Sequence, residues 1–495
     1  MKKSKTKGII QFILLFLSVF TFFVMGSSNN SASAADNSLQ KVKQRGELIM
    51  ATSPDYPPYE FQSSGANGQN EIVGMDIEVA KKIAKDLHVK LVIKSMNFDS
   101  VLVAVETGKA DMAIGGINPT PARRQSVDFS KIYYTGGQSF LINASDVNKI
   151  KSQKNLAGQN VGVQTGTLQY NLAKQYIPNV TIKGMDKTTD LVLALKTHKV
   201  DAVGMEKPSA EAYVKNDPSV KMIPSTYKLT QNETGVAIAF KKGATSLTNA
   251  ANKSITEIQK KNLTQQYLAS AGKYMKVNTV NTSMWHYWDY FAKGVEYTLL
   301  ISLISSLVGV LLGMFLALMR FSKLKWVRAI SISYTEFVRG TPLMVQVMFV
   351  YFGIGVVVNL PALLSGIIAV SLNSGAYVSE IIRGGINSVE KGQTEAAASL
   401  GLSETDLMRF VVLPQAFKNI WPALGNEFIA LIKESSIVSI IGVTDLIYQL
   451  NIVRADTYRG VMPIFVAMLL YFFMTFILTR ILNHYEGKMK HADSE

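Results

Sequence analysis

Forty consecutive residues, Gly340 to Ser379, carry no charged side chain. About 20 residues in a helix cross a ~30 Å hydrocarbon layer, so this stretch is too long for one crossing and suits two, divided at Asn359-Leu360-Pro361. Tyr297 to Met319 is equally free of charge and makes an earlier span. A fourth follows Trp421-Pro422, with Glu427, Lys433 and Glu434 near its start and the apolar run Ser435 to Val443 at its end; Val461 to Thr479 is the fifth. Inside lipid the backbone must satisfy its own polar groups, which helices do. Residues 285–485 therefore read as an all-α domain of five transmembrane helices, followed by a cytoplasmic tail at 486–495.

The 18% charged fraction of the 495 residues fits such a chain, since an ordinary soluble protein has ~25%. The formal charge of +15 divides into +4 over residues 1–35, +10 over 36–284 and +1 over 285–495. The excess lysines are scattered and form no dense basic run with interleaved aromatic residues, which argues against a nucleic-acid partner. Without cysteine the chain has no disulfide scaffold, thiol nucleophile or cysteine-ligated metal, and its five histidines show no metal-like spacing.

Charge also orients the spans. Lys2, Lys3, Lys5 and Lys7 precede the apolar run Gly8 to Met25, and Ser31-Ala32-Ser33-Ala34-Ala35 comes next; residues 1–35 read as a secretory signal peptide. Arg320, Lys323, Lys325 and Arg328 come after the first span. Arg383, Lys391, Arg409 and Lys418 lie between the third and fourth, and Arg480, Lys488 and Lys490 follow the fifth. The positive-inside rule puts these three regions in the cytoplasm. An odd number of spans must then begin outside, where the leader sends the first half. With no cysteine to carry a lipid, the membrane half does the tethering, through a linker at 273–284.

Residues 36–272 alternate β-like runs (Glu47 to Thr52, Val89 to Ile93, Ala110 to Ile114, Asn160 to Val163, Val200 to Val203) with helical stretches such as Met75 to Leu87 and Phe98 to Thr107. That is the pattern of α/β units with mostly parallel sheets, at a length that suits two lobes. Three polar loops come after β-like runs, where open α/β sheets bind ligands: Tyr56-Pro57-Pro58-Tyr59-Glu60-Phe61, Gly115-Gly116-Ile117-Asn118-Pro119-Thr120-Pro121-Ala122-Arg123-Arg124, and Gln164-Thr165-Gly166-Thr167. In this order, with Val127-Asp128-Phe129-Ser130 and the late strand Gly235 to Phe240, they resemble the periplasmic-type (type II) binding proteins for polar amino acids, among them the glutamine, histidine and lysine-arginine-ornithine binders.

The resemblance implies a first lobe at about 40–135 and 237–272 and a second at about 140–233, closing on the ligand around crossings near Gly136 to Phe140 and Thr234 to Ile238. It makes Arg123 the bidentate partner of the ligand α-carboxylate, a role that suits guanidinium geometry. Glu206 matches the acid that holds the α-ammonium, and Tyr56 and Phe98 match the aromatic pair that sandwiches the aliphatic part. Gly116 would supply a carbonyl, and Thr167 a hydroxyl and an N–H. Asn118 stands where the family has Ser or Thr. Ser53 replaces an Asp of several relatives, and Gln164 a basic residue of the glutamine binder; both changes lean toward an uncharged, glutamine-like ligand.

In the membrane half, Glu395-Ala396-Ala397-Ala398-Ser399-Leu400-Gly401 is followed, nine residues on, by Val411-Val412-Leu413-Pro414. Local rules predict an Ala-rich helix stopped by Gly401, a restart at Ser403 as N-cap with Asp406 three residues on, and an end before Pro414. Together with Phe337-Val338-Arg339-Gly340-Thr341-Pro342-Leu343, this hairpin within 390–420 resembles the EAA loop of ABC importer permeases of the polar amino acid branch. The resemblance implies that Glu395, Ala396, Ala397, Gly401, Leu413 and Pro414 couple the chain to an ATPase. No Gly-x-x-x-x-Gly-Lys-[Ser/Thr] phosphate loop occurs here. ATP and Mg are therefore expected on a separate ABC ATPase homodimer, the chain itself needing no cofactor, and a second copy of the chain is expected to complete the translocation path. The expectation is a fused binding protein and permease importing a polar amino acid across the membrane of a Gram-positive bacterium, and not an enzyme. Two other classes share the binding fold. An amino-acid-gated ion channel would insert its pore helices between the lobes, whereas this exported half runs unbroken from Ser38 to Lys273. An exported enzyme would need an acid or base beyond Arg123 and Glu206.

Overall fold

In a computed structural model, residues 36–64, 70–275, 283–457 and 460–491 are described; the leader and the centre of the linker lie outside them. Ten strands build two five-stranded sheets. In chain order they are β1 (Glu47–Thr52), β2 (Lys90–Ser95), β3 (Met112–Ala113), β4 (Val127–Phe129), β5 (Gln138–Asn143), β6 (Asn160–Gln164), β7 (Thr181–Met185), β8 (Ala202–Glu206), β9 (Val220–Pro224) and β10 (Ala239–Lys241). The first sheet has the order β2-β1-β3-β10-β4 and the second β7-β6-β8-β5-β9. In each, a strand early in its lobe pairs in parallel with two neighbours while the far side is antiparallel. Helices cover the parallel strands, which is why β1, β6 and β8 read as nearly continuous apolar runs rather than alternating ones.

The chain crosses between lobes twice. Tyr134–Thr135 pairs antiparallel with Gly235–Val236, so the first crossing begins slightly before the expected Gly136. The expected strand Gly235 to Phe240 is divided: its first two residues serve the crossing, and β10 joins the first sheet. Four helices frame the space between the lobes: α1 (Met75–Asp86), α2 (Phe98–Glu106), α3 (Leu168–Tyr176) and α4 (Thr188–Lys196). α3 comes after β6 and α4 after β7, so both present their N-termini at the same edge of the second sheet.

The membrane half comprises α5 (Trp288–Phe321), α6 (Lys325–Arg339), α7 (Leu343–Met348), α8 (Ala362–Asn387), α9 (Lys391–Ser399), α10 (Leu413–Glu434), α11 (Leu446–Thr457) and α12 (Val461–His491). The helices containing α5, α8 and α12 are each long and apolar enough to cross a membrane. Two bent pairs add to them, Lys325–Arg339 with Leu343–Val356 at 106° and Glu404–Ile441 with Leu446–Thr457 at 57°. Counted as one crossing each, they bring the total to the expected five. α5 and α8 approach closely because glycines face the contact: a Cβ on Gly309 would stand 2.7 Å from Ser374 Oγ, and one on Gly313 2.5 Å from Val378 Cγ1, the small-residue packing typical of helices in lipid.

Two expectations change. The helix does not end before Pro414: a π-helical segment, Leu407–Val412, leads directly into α10, and Pro414 falls just after it. Pro422 lies inside α10, so the fourth helix starts before Trp421-Pro422 rather than after it. The last helix continues through His491, so residues 486–491 of the expected tail are helical.

The two halves touch through both lobes. From the first lobe, Lys109 is almost fully buried; its Nζ donates to Leu360 O at 3.0 Å and Asn359 Oδ1 at 3.2 Å and lies 5.0 Å from the Tyr351 ring centre. The Asn97 N–H reaches Ile440 O at 3.4 Å. Val101, Ala104 and Val105 share one apolar cluster with Val350, Tyr351, Phe352 and Ile441. From the second lobe, Asp190 pairs with Arg454, which is only 5% exposed. All these membrane-half contacts lie near the start of α8 or beyond the end of α10. α9 lies at the other ends of the same two helices, about 39 Å away along the 26 residues of α8.

Candidate functional site

Between the lobes a cleft encloses roughly 500 Å³ of non-atom space, its mouth included. Eight of the nine expected binding residues line it: Ser53, Tyr56, Phe98, Gly116, Asn118, Arg123, Gln164 and Thr167. Each comes from a loop at the end of a strand or the start of a helix. Gly116 has φ +56, a left-handed conformation glycine adopts freely, and a Cβ there would stand 3.2 Å from the Tyr56 ring. Its N–H donates to Asp76 Oδ2 at 2.9 Å.

Arg123 spans the lobes. Its Nη1 donates to Asn118 O at 2.9 Å and its Nη2 to Gly166 O at 3.1 Å, with the guanidinium 5.6 Å from the Phe98 ring centre. Burial pulls its pKa down to about 10, against the opposing pull of Glu206, so it stays charged near neutral pH. Beside it α3 begins at Leu168, and the positive end of a helix favours an anion. Thr167 lines the cleft, where its hydroxyl donates to Gln164 O at 2.6 Å and its N–H turns to the same carbonyl at 3.4 Å. The tight turn before α3 uses both donors.

Glu206 is fully buried and does not line the cleft wall. Asn118 Nδ2 donates to its Oε1 at 3.0 Å and Tyr59 Oη donates to its Oε2, while its own N–H donates to Tyr56 Oη at 2.8 Å. The β8 register carries the side chain into the layer behind Asn118. Burial raises its carboxyl to about 7. Nearby, burial and then the Asp76 charge hold Glu60 well above the usual carboxylate range, and burial raises Asp76 to about 6.

Asp55 and Glu60, both on the wall, were not among the nine expected binding residues, although Glu60 stands in the Tyr56 to Phe61 loop. Ser53 Oγ donates to Asp55 Oδ1 at 2.8 Å, and the Thr188 N–H at the start of α4 donates to Asp55 Oδ2 at 3.0 Å. The cleft wall thus carries two polar groupings. One joins Arg123 to the turn before α3; the other joins Asp55 to the start of α4. The available signal was an acid two residues after Ser53 in the same loop.

Residues 48–272 match the family of bacterial extracellular solute-binding proteins, family 3, and residues 309–491 match the binding-protein-dependent transport system inner membrane component. The arginine transport system permease protein ArtQ of Bacillus subtilis is 43% identical over 212 residues, 41% of this chain and 94% of that protein. GlnP of Rickettsia felis, provisionally designated a glutamine transport system permease, is 40% identical over 202 residues, 40% of this chain and 93% of that protein. The arginine-binding extracellular protein ArtP of B. subtilis is 33% identical over 253 residues, 50% of this chain and 92% of that protein. The chain belongs to both families. It is a family 3 solute-binding domain fused to an ABC permease domain, in a membrane protein that serves amino acid transport.

In the permease domain the hairpin keeps the predicted local physics up to Pro414. α9 stops at Gly401, whose φ is +84, and the Leu402 N–H closes on Ala397 O at 3.2 Å. Ser403 Oγ accepts the Asp406 N–H at 3.1 Å. Ala397 is buried, while Glu395 and Ala396 are exposed. Leu400 is 81% exposed, Phe410 63% and Leu413 46%. Three large apolar side chains on one small hairpin are thus left exposed.

Proposed function

We propose that the solute-binding domain captures a free polar amino acid outside the cell and delivers it to its own permease half, driven by a separate ABC ATPase homodimer that grips the hairpin from the cytoplasm. The observation carrying this reading is the placement of the cleft and the hairpin at opposite ends of α8 and α10. Arg123 would take the ligand α-carboxylate together with the N-terminus of α3. Glu206 would favour the α-ammonium from behind Asn118, with Tyr56 and Phe98 against the aliphatic part. A buried charge left unpaired costs several kcal/mol, so a zwitterion is the ligand best matched by a fixed cation beside a fixed anion.

The exposed Leu400, Phe410 and Leu413 support ATPase docking. Displacement of α9 would be transmitted through α8 and α10, which begin or end at the hairpin, and would switch the spans between inward-open and outward-open arrangements. A second copy of the chain would complete the path. The names of the relatives, which include arginine and glutamine systems, support the amino acid class.

Calorimetry on the purified full chain with the twenty standard amino acids tests the reading. At least one polar amino acid should bind with micromolar or tighter affinity and should stimulate ATP hydrolysis once the ATPase is added. Binding without any stimulation would point to a ligand-gated channel, and no binding at all would contradict the capture role.

A further inference from the structure

We infer that α6 lies in the plane of the inner leaflet and seats the headgroup of an anionic phospholipid beside Lys325 and Arg328. This goes beyond the transport reading and rests on it only for the side of the membrane, since Lys323 reaches Glu404 of the hairpin at 3.1 Å. The direction of α6 carries the first step. The segment Leu343–Val356 that follows it forms the apolar part of a crossing, and α6 meets that segment at 106°, so α6 runs nearly along the bilayer surface. It is pinned there to the inner ends of two spans. Ser331 Oγ donates to Leu316 O of α5 at 2.7 Å, Arg320 Nη1 donates to Thr335 Oγ1 at 3.3 Å, and Arg339 Nη1 lies 3.8 Å from Glu380 Oε2 of α8.

The packing of α6 is inside out. Ser331 and Thr335 are buried against the bundle, whereas Trp326 is 65% exposed, Ile330 50% and Phe337 46%. At 3.6 residues per turn these three apolar side chains fall within ~40° of one another, so they form one stripe. A helix in water turns such a stripe inward and its hydroxyls outward; the reverse arrangement suits an acyl-chain environment. The last turns of α5 likewise expose Phe315, Leu318 and Phe321.

The charges gather at one end. Lys323, Lys325 and Arg328 are exposed, and the one acid of α6, Glu336, stands near its other end. Lys323 pairs with Glu404, but among the described residues none of the ion pairs includes Lys325 or Arg328. Cations in a first turn oppose the helix dipole, so these two cost α6 stability rather than supply it. Both side chains are long enough to reach a headgroup from the flank of the stripe. A lipid phosphate would take charge-assisted bonds from them while its acyl chains lie along Trp326 and Ile330.

A second copy of the chain is the competing occupant. Arg339, at the far end of α6, lines an open polar cavity with Asn373, Tyr377, Lys433 and Glu434. Charged groups at membrane depth turn away from lipid, so a second copy belongs on that side. Trp326 lies ~20 Å from Arg339 along α6, which leaves the stripe to lipid.

The test uses Trp326 as its own reporter. The full chain is placed in phosphatidylcholine nanodiscs containing a small fraction of brominated phosphatidylglycerol or of brominated phosphatidylcholine, whose bromines quench a neighbouring indole. The quenching at position 326 is the difference between the native chain and Trp326→Phe; a chain with Trp285, Trp288 and Trp421 all changed to Phe reads it directly. Both lipids should quench Trp326, and the phosphatidylglycerol should act at a roughly fivefold lower mole fraction, the enrichment expected of even one cation at the surface. With Lys325→Gln and Arg328→Gln together, that preference should shrink to within twofold while quenching by brominated phosphatidylcholine persists. No quenching by either lipid would mean that protein covers the stripe and would overturn the inference. Equal quenching by both lipids in the native chain would leave α6 in the membrane but overturn the headgroup site. Amino acid binding, followed by calorimetry on the same nanodiscs, does not depend on either result, so a failure here is distinguishable from a failure of the transport reading.

Discussion

The cleft and the hairpin treat polar and apolar groups in opposite ways. In the cleft, Arg123, Asn118, Glu206, Asp55 and Gln164 are all hydrogen-bonded to one another or to backbone, and the aromatic rings of Tyr56 and Phe98 are drawn inward. On the hairpin the polar atoms cap its turns or pair at the surface, as Ser403 does with the Asp406 N–H and Glu404 with Lys323, and several large apolar side chains are exposed. A small ligand is recognised by converging fixed charges, which must be sheltered from water to act strongly. A protein partner is recognised by area and shape, which must be exposed. On the proposed reading one chain carries two kinds of site, toward opposite ends of α8.

The largest expected effect comes from breaking the cleft side of this contrast. Arg123→Ala leaves a ligand carboxylate facing a wall without its cation. An unpaired buried charge costs ~3–5 kcal/mol, so amino acid affinity measured by calorimetry should fall roughly 150- to 5,000-fold while ATPase docking is unaffected.

A somewhat smaller effect is expected where the two halves meet. Asp190→Arg opposes the buried Arg454 and should lower uptake several-fold without changing ligand affinity. Adding Arg454→Asp should restore most of the uptake, and failure of that rescue would remove the ion pair from the docking contact.

On the hairpin side, Gly401→Val places a β-branched residue at φ +84, where a left-handed residue costs ~1–2 kcal/mol. Transport per ATP hydrolysed should drop while amino acid binding stays within twofold of native. The sharpest contrast between the two mutants is that Arg123→Ala affects only binding and Gly401→Val only coupling.

The smallest effect is a pH dependence of stability in the binding domain. Glu206 is raised to about 7 and Asp76 to about 6, above their ordinary values near 4.5 and 3.8. The folded state therefore holds more protons than the unfolded one between those limits. The resulting stabilisation is full below the unfolded values and is lost as pH rises through 6 to 7. Without ligand, the unfolding temperature of the binding domain should fall by a few degrees from pH 5 to pH 8. Saturating amino acid should offset that fall, because an ammonium near Glu206 favours its ionised form.

Much of this was legible in the sequence because it depends on local pattern. Charge-free length sets the number of spans, strand–helix alternation sets the two lobes, and Gly401 with Ser403 sets the hairpin turn. Eight cleft residues were named because the resemblance to amino acid binding proteins implies them, most of them in loops after β-like runs and Phe98 at the start of a helical stretch. What stayed hidden depends on partners far apart in the chain. Glu206 is drawn behind Asn118 by Tyr59, 147 residues away. Asp55 gains its place from the start of α4, 133 residues away. Lys109 looks like any solvent-facing lysine until Leu360 and Tyr351 enclose it. The prolines misled for a different reason: Pro414 and Pro422 are helix breakers in water, but near a helix start or within a packed span the chain tolerates both.

The central claim is that capture and drive occur on opposite faces of one membrane, and the absence of cysteine allows it to be tested directly. Single cysteines are introduced as Lys149→Cys on the binding domain and Leu400→Cys on the hairpin, both at exposed positions, and intact cells are treated with a membrane-impermeant maleimide. The expected result is labelling at position 149 in intact cells and at position 400 only after the membrane is opened. Labelling of position 400 in intact cells would contradict the claim.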